Sequence, residues 1–289
     1  NFWDKAKKSN SAYAKGVARH LWSRLRQGES LEPIARELER LRSRTLAPYS
    51  KAAVLLTEAE LAYRARNPKA AADSVKEAIE IRGETPRLLS ALGRYTAFAG
   101  GAKEGLNLQR KAFESNPGNV GYLFGWVHAA LLSGQIDQAL AALNAQQKRF
   151  GEQRSFRLLR ARVLVEAGKL KPAQKIFNEI LSVRKTQPDA LAGLGHIEWK
   201  RKNYDRARAY YERALTERSR FPEVLESVGL MFVQMGAAED GHARLLEAEK
   251  QYLERGVELL KLRAFHRKAS QALGTSSQAT VWRKKLESW

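Results

Sequence analysis

Five histidines are the first residues to test for chemistry: His20, His128, His196, His242 and His266. A protein-bound metal needs several ligands within about 2 Å of one ion, and no pair of these histidines stands one helical turn apart. Nearby carboxylates occur in Glu58-Ala59-Glu60 and Glu239-Asp240, and on helices such pairs form solvated faces. No glycine-rich phosphate loop, zincin helix motif or nucleophile elbow is present, and Gly100-Gly101 reads as a turn. With no Cys there is no disulfide framework, thiolate zinc site, iron–sulfur cluster or cysteine nucleophile. These residues describe a chain that is not an enzyme and calls for no metal or cofactor. One cluster carries a different chemistry. Tyr13, Arg19, Trp22, Arg24 and Arg26 interleave aromatic and basic side chains, the types that stack on bases and neutralise phosphates.

The whole chain is strongly cationic. Its 289 residues carry 51 Lys+Arg against 31 Asp+Glu, a net charge of +20 and a pI near 10.2. The ends hold most of it: residues 1–51 and 250–289 together account for +13. No stretch approaches the roughly 20 apolar residues of a membrane-spanning helix. The chain opens Asn1-Phe2-Trp3 without a Met, which reads as an excised fragment or mature product. The lack of Cys leans towards an exported bacterial protein, in the periplasm rather than the cytoplasm.

A fixed period organises the elements that must position any site. Gly100, Gly134 and Gly168 are spaced by 34 residues, and Gly236 lies two further steps along. Frames opened at Ala52, Pro86, Val120, Arg154, Pro188 and Pro222 align without insertion. Position twenty is always small: Ala71, Gly105, Ala139, Ala173, Ala207 and Gly241. Position eight is small except at Val127. Position twenty-seven is Ala except at Gln146 and Ile180. Short side chains at fixed places are what closely crossing antiparallel helices require. Leu191, Leu194 and Ile197 supply a helical apolar stripe. The turn glycines suit left-handed helix caps, and Pro188 and Pro222 suit first-turn positions.

This pattern resembles the tetratricopeptide repeat family. Its clearest unit is 188–221, with Leu194-Gly195, Tyr204, Ala207, Tyr211 and Ala214 at signature positions; next is 86–119, with Leu92-Gly93, Gly100, Ala112 and Pro117. The resemblance implies an all-α, right-handed superhelical solenoid of antiparallel hairpins. The expected organisation is a divergent basic helical cap over 1–51, then six repeats (52–85, 86–119, 120–153, 154–187, 188–221 and 222–255). A basic helical cap over 256–289 follows. In the first cap a helix fills 1–27, and Ser30 caps a second helix through Leu46. The last cap holds a helix over 256–273, a turn at Gly274–Ser277 and a helix over 278–289. Repeat four departs from the pattern with Arg157 and Arg160, and Leu158 and Leu159 are expected to take over its packing.

The resemblance further implies that partners bind on a concave face lined by each first helix. Positions five, nine, twelve and thirteen place Tyr63, Arg64, Arg94, Phe98, Phe124, His128, Arg162, His196, Trp199 and Lys200 there. Aromatics mixed with Arg and Lys suit a peptide with apolar anchors and carboxylates, since the Arg fork donates two parallel hydrogen bonds. His128 and His196 share position nine but stand two repeats apart, too far for one metal. The expected function is a scaffold or adaptor that binds an acidic or mixed acidic–apolar segment of another protein. The alternative is an anionic polymer (nucleic acid, polysaccharide or membrane surface) held by the basic caps.

Overall fold

The computed structural model describes residues 10–27, 29–43, 46–254 and 259–287. Among these the chain forms seventeen helices and no strand. It divides into two compact units, Asn1–Ala142 and Leu143–Trp289.

In the first unit α1 (Asn10–Arg26) and α2 (Leu31–Arg42) precede three hairpins. These are α3 (Pro48–Arg64) with α4 (Pro68–Arg82), α5 (Pro86–Phe98) with α6 (Ala102–Ser115), and α7 (Val120–Leu132) with α8 (Ile136–Ala145). The unit boundary falls inside α8. The second unit adds the short α9 (Gln147–Phe150) and three hairpins. These are α10 (Arg154–Glu166) with α11 (Leu170–Val183), α12 (Pro188–Lys200) with α13 (Tyr204–Glu217), and α14 (Pro222–Gln234) with α15 (Ala238–Glu254). Two further helices, α16 (Leu259–Leu273) and α17 (Ser277–Glu287), end the described chain.

Punctuation in the sequence sets these boundaries. Second helices open at Pro68, Ala102, Ile136, Leu170, Tyr204 and Ala238, a constant step of 34. First helices keep that step from Pro86 to Pro222, whereas α3 opens at Pro48, four residues ahead of the Ala52 frame. Pro stands in the first turn of α3, α4, α5, α12 and α14, where its missing N–H costs nothing. Asn67 and Thr85 accept from the backbone amides of Ala70 and Leu88 and cap α4 and α5. The turn residue at the 34-residue step has positive φ each time: Arg66, Gly100, Gly134, Gly168, Lys202 and Gly236.

The small residues lie where backbones meet. A Cβ placed on Gly93 would stand 2.9 Å from the Gly105 carbonyl oxygen, and one on Gly229 2.9 Å from that of Gly241. Large side chains fill the rest. In the first unit Leu21, Leu25, Ile34 and Leu38 join α1, α2 and α3. Leu55, Val75, Leu88 and Tyr95 join the next two hairpins. In the second unit Leu191, Tyr211, Val228 and Met231 form one core, and Leu245, Tyr252, Phe265 and Trp282 another. Each fully buried side chain of this size contributes about 1.5–3 kcal/mol.

Three expectations need correction. The helix after Ser30 ends at Arg42, Leu46 is outside any helix, and Ser30 makes no side-chain cap bond. In repeat four Phe156 and Leu159 are buried while Leu158 is only half-buried, because Phe156 and Leu159 share one helical stripe. Arg157 reaches Glu179, and Arg160 bonds Asn144 at 3.3 Å. At Gln146 the second helix breaks, ending at Ala145 before α9 begins. Phe2, Trp3, Gly28, the 255/256 boundary and Trp289 lie outside the described residues.

Candidate functional site: the face of the first helices

Contacts between successive first helices show which residues share a face. In the first unit Arg94 of α5 reaches Glu60 of α3 at 3.3 Å. In the second, Lys200 of α12 lies 3.8 Å from Glu166 of α10. Trp199 Nε1 donates to Gln234 Oε1 of α14 at 2.8 Å, and Lys268 of α16 lies 3.1 Å from Glu226 of α14. Positions nine, twelve and thirteen therefore line one surface within each unit.

In the first unit that surface is internally compensated. The Glu60 carboxylate, 4% exposed, accepts from Arg64 Nε at 3.0 Å, Arg94 Nη2 at 3.3 Å and the Tyr95 hydroxyl at 2.9 Å. A buried carboxylate needs such partners, and removing them leaves an uncompensated charge. Burial also holds the Tyr95 phenol well above its ordinary range. Tyr63 is buried and stacks on the half-buried Phe98, ring centroids 4.9 Å apart. Phe124 is half-buried and His128 exposed on α7.

The second unit differs. Arg162 is exposed on α10 and makes no ion pair among the described residues. His196 on α12 is half-buried, and its Nδ1 lies 2.9 Å from the Tyr211 hydroxyl. Burial pushes the Tyr211 phenol far up, so the hydroxyl keeps its proton and shares a hydrogen bond with the imidazole. Burial first, then the charges of Arg162, Lys200 and Lys268, push His196 down to about 4. Three cations from three first helices thus act on one point, beside the half-buried Trp199 ring 5.5 Å away. The surface offers the Arg162 guanidinium and a neutral imidazole next to an indole face, with the Lys200 and Lys268 ammonium groups beside Glu166 and Glu226. It suits carboxylates flanked by apolar side chains. Among the described residues no group of three or more His, Asp or Glu is placed to hold a metal ion.

The ten groove residues therefore fall into two sets: Tyr63, Arg64, Arg94, Phe98, Phe124 and His128 in one unit, and Arg162, His196, Trp199 and Lys200 in the other. Sequence reasoning passed over Lys268, although it repeats the place of Lys200 two periods later. It also took Tyr211 only as packing. Nothing in the spacing marks Glu60 as the residue that binds Arg64 and Arg94.

Residues 188–220, which fold as α12 and α13, match the family model described as tetratricopeptide repeat. The chain has the tetratricopeptide-repeat fold. A tetratricopeptide repeat protein from Parabacteroides merdae superposes with a TM-score of 0.54 at 20% identity, over 82% of this chain and 93% of that one. The pilF structure of Pseudomonas aeruginosa gives 0.50 at 17% identity, over 72% of this chain and 96% of that one. A chain of the APC/C hetero-tetramer Cut9-Hcn1 gives 0.51 at 13%, over 96% of this chain and 56% of that one. No curated protein matches the sequence. Among the described residues no helix is long and apolar enough to cross a membrane.

Proposed function

We propose that the chain is a non-enzymatic scaffold that binds an acidic or mixed acidic–apolar segment of a partner protein, along the first helices of its second unit. The carrying observation is the convergence of Arg162, Lys200 and Lys268 on His196 beside Trp199. In the second unit Lys200 and Lys268 also face carboxylates, Glu166 at 3.8 Å and Glu226 at 3.1 Å, but Arg162 makes no ion pair among the described residues. In the first unit Glu60 holds both Arg64 and Arg94, so that unit contributes mainly its Tyr63–Phe98 apolar patch. The repeat division at 52–255 with basic helical caps on either side is part of this reading.

The alternative, an anionic polymer on the basic caps, meets a structural obstacle at the C-terminal end. Lys285 is bound to Glu249, Arg283 donates to the Gly274 carbonyl, and Trp282 is fully buried. At the other end Arg24 is taken by Glu29 and Glu37.

Selection from a random peptide library on the wild-type chain tests the proposal. Enriched peptides should pair Asp or Glu with Phe, Leu or Trp. Arg162→Ala with Trp199→Ala should weaken them at least tenfold, and binding should persist at about 150 mM salt because apolar anchors are not screened. Peptides without acidic bias, or equal binding by the variant, would refute it.

A further inference from the structure

A separate basic cluster lies in the first unit. A pocket of about 80 Å³ is lined by Lys15, Arg19 and Trp22 of α1, Tyr49 of α3, and Arg82 and Arg87 on either side of the α4–α5 turn. No carboxylate lines it, and none of its four cations makes an ion pair among the described residues. The neighbouring acids are engaged elsewhere: Glu29 and Glu37 on Arg24, Glu58 and Glu77 on Arg42, Glu84 on Lys111. Lys15 Nζ and Arg82 Cζ each lie 4.2 Å from the Tyr49 ring centroid. Both cations therefore make cation–π contact with the same ring. Lys15 foremost, with Arg82 and Arg19, holds the Tyr49 hydroxyl below its ordinary range, which places three of the charges at one point.

Like charges gathered at one point repel one another, and an anion between them relieves that repulsion. The pocket is far smaller than the roughly 300–1,000 Å³ of a small-molecule site, so it holds one compact group rather than a nucleotide or cofactor. A single carboxylate supplies one negative charge. A phosphate monoester supplies about 1.5–2 and three acceptor oxygens for four cationic side chains. The Tyr49 ring is already in contact with two cations, and the pocket holds a single compact group rather than the run of stacked bases that single-stranded nucleic acid presents. We propose that this pocket receives a phosphate monoester, carried as a phosphorylated side chain of a partner polypeptide. The polypeptide source rests on the scaffold reading above; the pocket's chemistry does not.

Two arms separate those parts. In the first, inorganic phosphate at about 10 mM, balanced against chloride at fixed ionic strength, should raise the wild-type melting temperature by about 2–4 °C. Arg19→Gln with Arg87→Gln should lose most of that rise, while Arg110→Gln, on an exposed Arg–Glu pair, should keep it. Both pocket arginines are exposed and make no ion pair among the described residues, so the double variant should stay folded, with a melting temperature at or above that of the wild type. An equal rise in all three proteins overturns the pocket. In the second arm, calorimetry compares a short phosphoserine peptide with its Ser and Glu counterparts. The phosphopeptide should bind at least tenfold tighter than either, and only to chains with Arg19 and Arg87. Equal binding of the Glu peptide overturns the phosphate assignment. A phosphopeptide no tighter than inorganic phosphate overturns the polypeptide source. An oligothymidine that binds more tightly and needs the same arginines replaces the proposal with nucleic acid.

Discussion

At the scale of single residues the informative features are a backbone angle and an imidazole. Six turn residues 34 apart take positive φ, but only four are Gly; Arg66 and Lys202 adopt 63° with a full side chain. A side chain in this conformation costs about 1–2 kcal/mol. Gly168→Ala, with nothing within 4 Å of the added Cβ, should therefore lower stability by about 1 kcal/mol in urea unfolding. Lys202→Gly should gain less than that, because glycine's greater freedom in the unfolded chain offsets part of the relief. A destabilised Lys202→Gly would contradict the assigned turn. His196 predicts a pH effect. Its folded pKa, near 4, lies below the unfolded value of about 6.5. Between these the unfolded chain binds the extra proton, so stability is full above about pH 6.5 and falls as pH drops towards 4. His196→Gln should flatten that part of a melting temperature–pH curve. An unchanged slope would show His196 exposed and ordinary.

At the scale of helices and hairpins, packing is decided where short residues face each other. Ala207 is fully buried beneath α12, and Ala207→Leu should cost about 1–3 kcal/mol through overpacking. Glu212→Gln, in an exposed pair with Arg208 2.7 Å away, should stay within about 0.5 kcal/mol. The last helix is structural by the same measure. Trp282 is 0% exposed, donates from Nε1 to His242 at 3.1 Å and packs edge-on against Phe265. Burial pushes the Glu249 carboxyl up, but bonds from His266 and Lys285 outweigh it and leave it below its ordinary range. Trp282→Ala should cost about 3–5 kcal/mol, whereas Lys284→Gln, on the exposed side, should be near neutral. Equal effects would mean that α17 is not docked.

At the scale of the whole molecule, charge matters most. A net +20 makes the compact state self-repelling, and its exposed ion pairs contribute little individually. Raising sodium chloride from about 50 to 300 mM shortens the Debye length below roughly 10 Å and should raise the melting temperature. Double Arg19→Gln, Arg87→Gln should reduce that salt dependence, since it removes two closely placed cations that no carboxylate offsets. A melting temperature that falls with salt would show that attractive pairs outweigh the net repulsion.

The sequence by itself determined the helices and the constant step between them. Pro at first turns, Gly at left-handed turns and small residues at positions eight and twenty act locally, within one hairpin. Gly93 and Gly105 or Ala207 could be placed at helix crossings from spacing alone for that reason. The sequence also placed ten residues from Tyr63 to Lys200 at repeat positions expected to share a face, without separating Arg162, His196, Trp199 and Lys200 from the rest. What it could not determine was which of those charges are spent. Glu60 binding Arg64, Arg94 and Tyr95 depends on depth of burial, which a repeat position does not encode. The same holds for Lys15, Arg19, Arg82 and Arg87. They are far apart in the chain, two belong to the cap and two to a turn, and no period relates them. Only the packing of α1 against α3 and the α4–α5 turn brings their charges together, since electrostatic energy depends on distance in space and on where the neighbouring carboxylates are held.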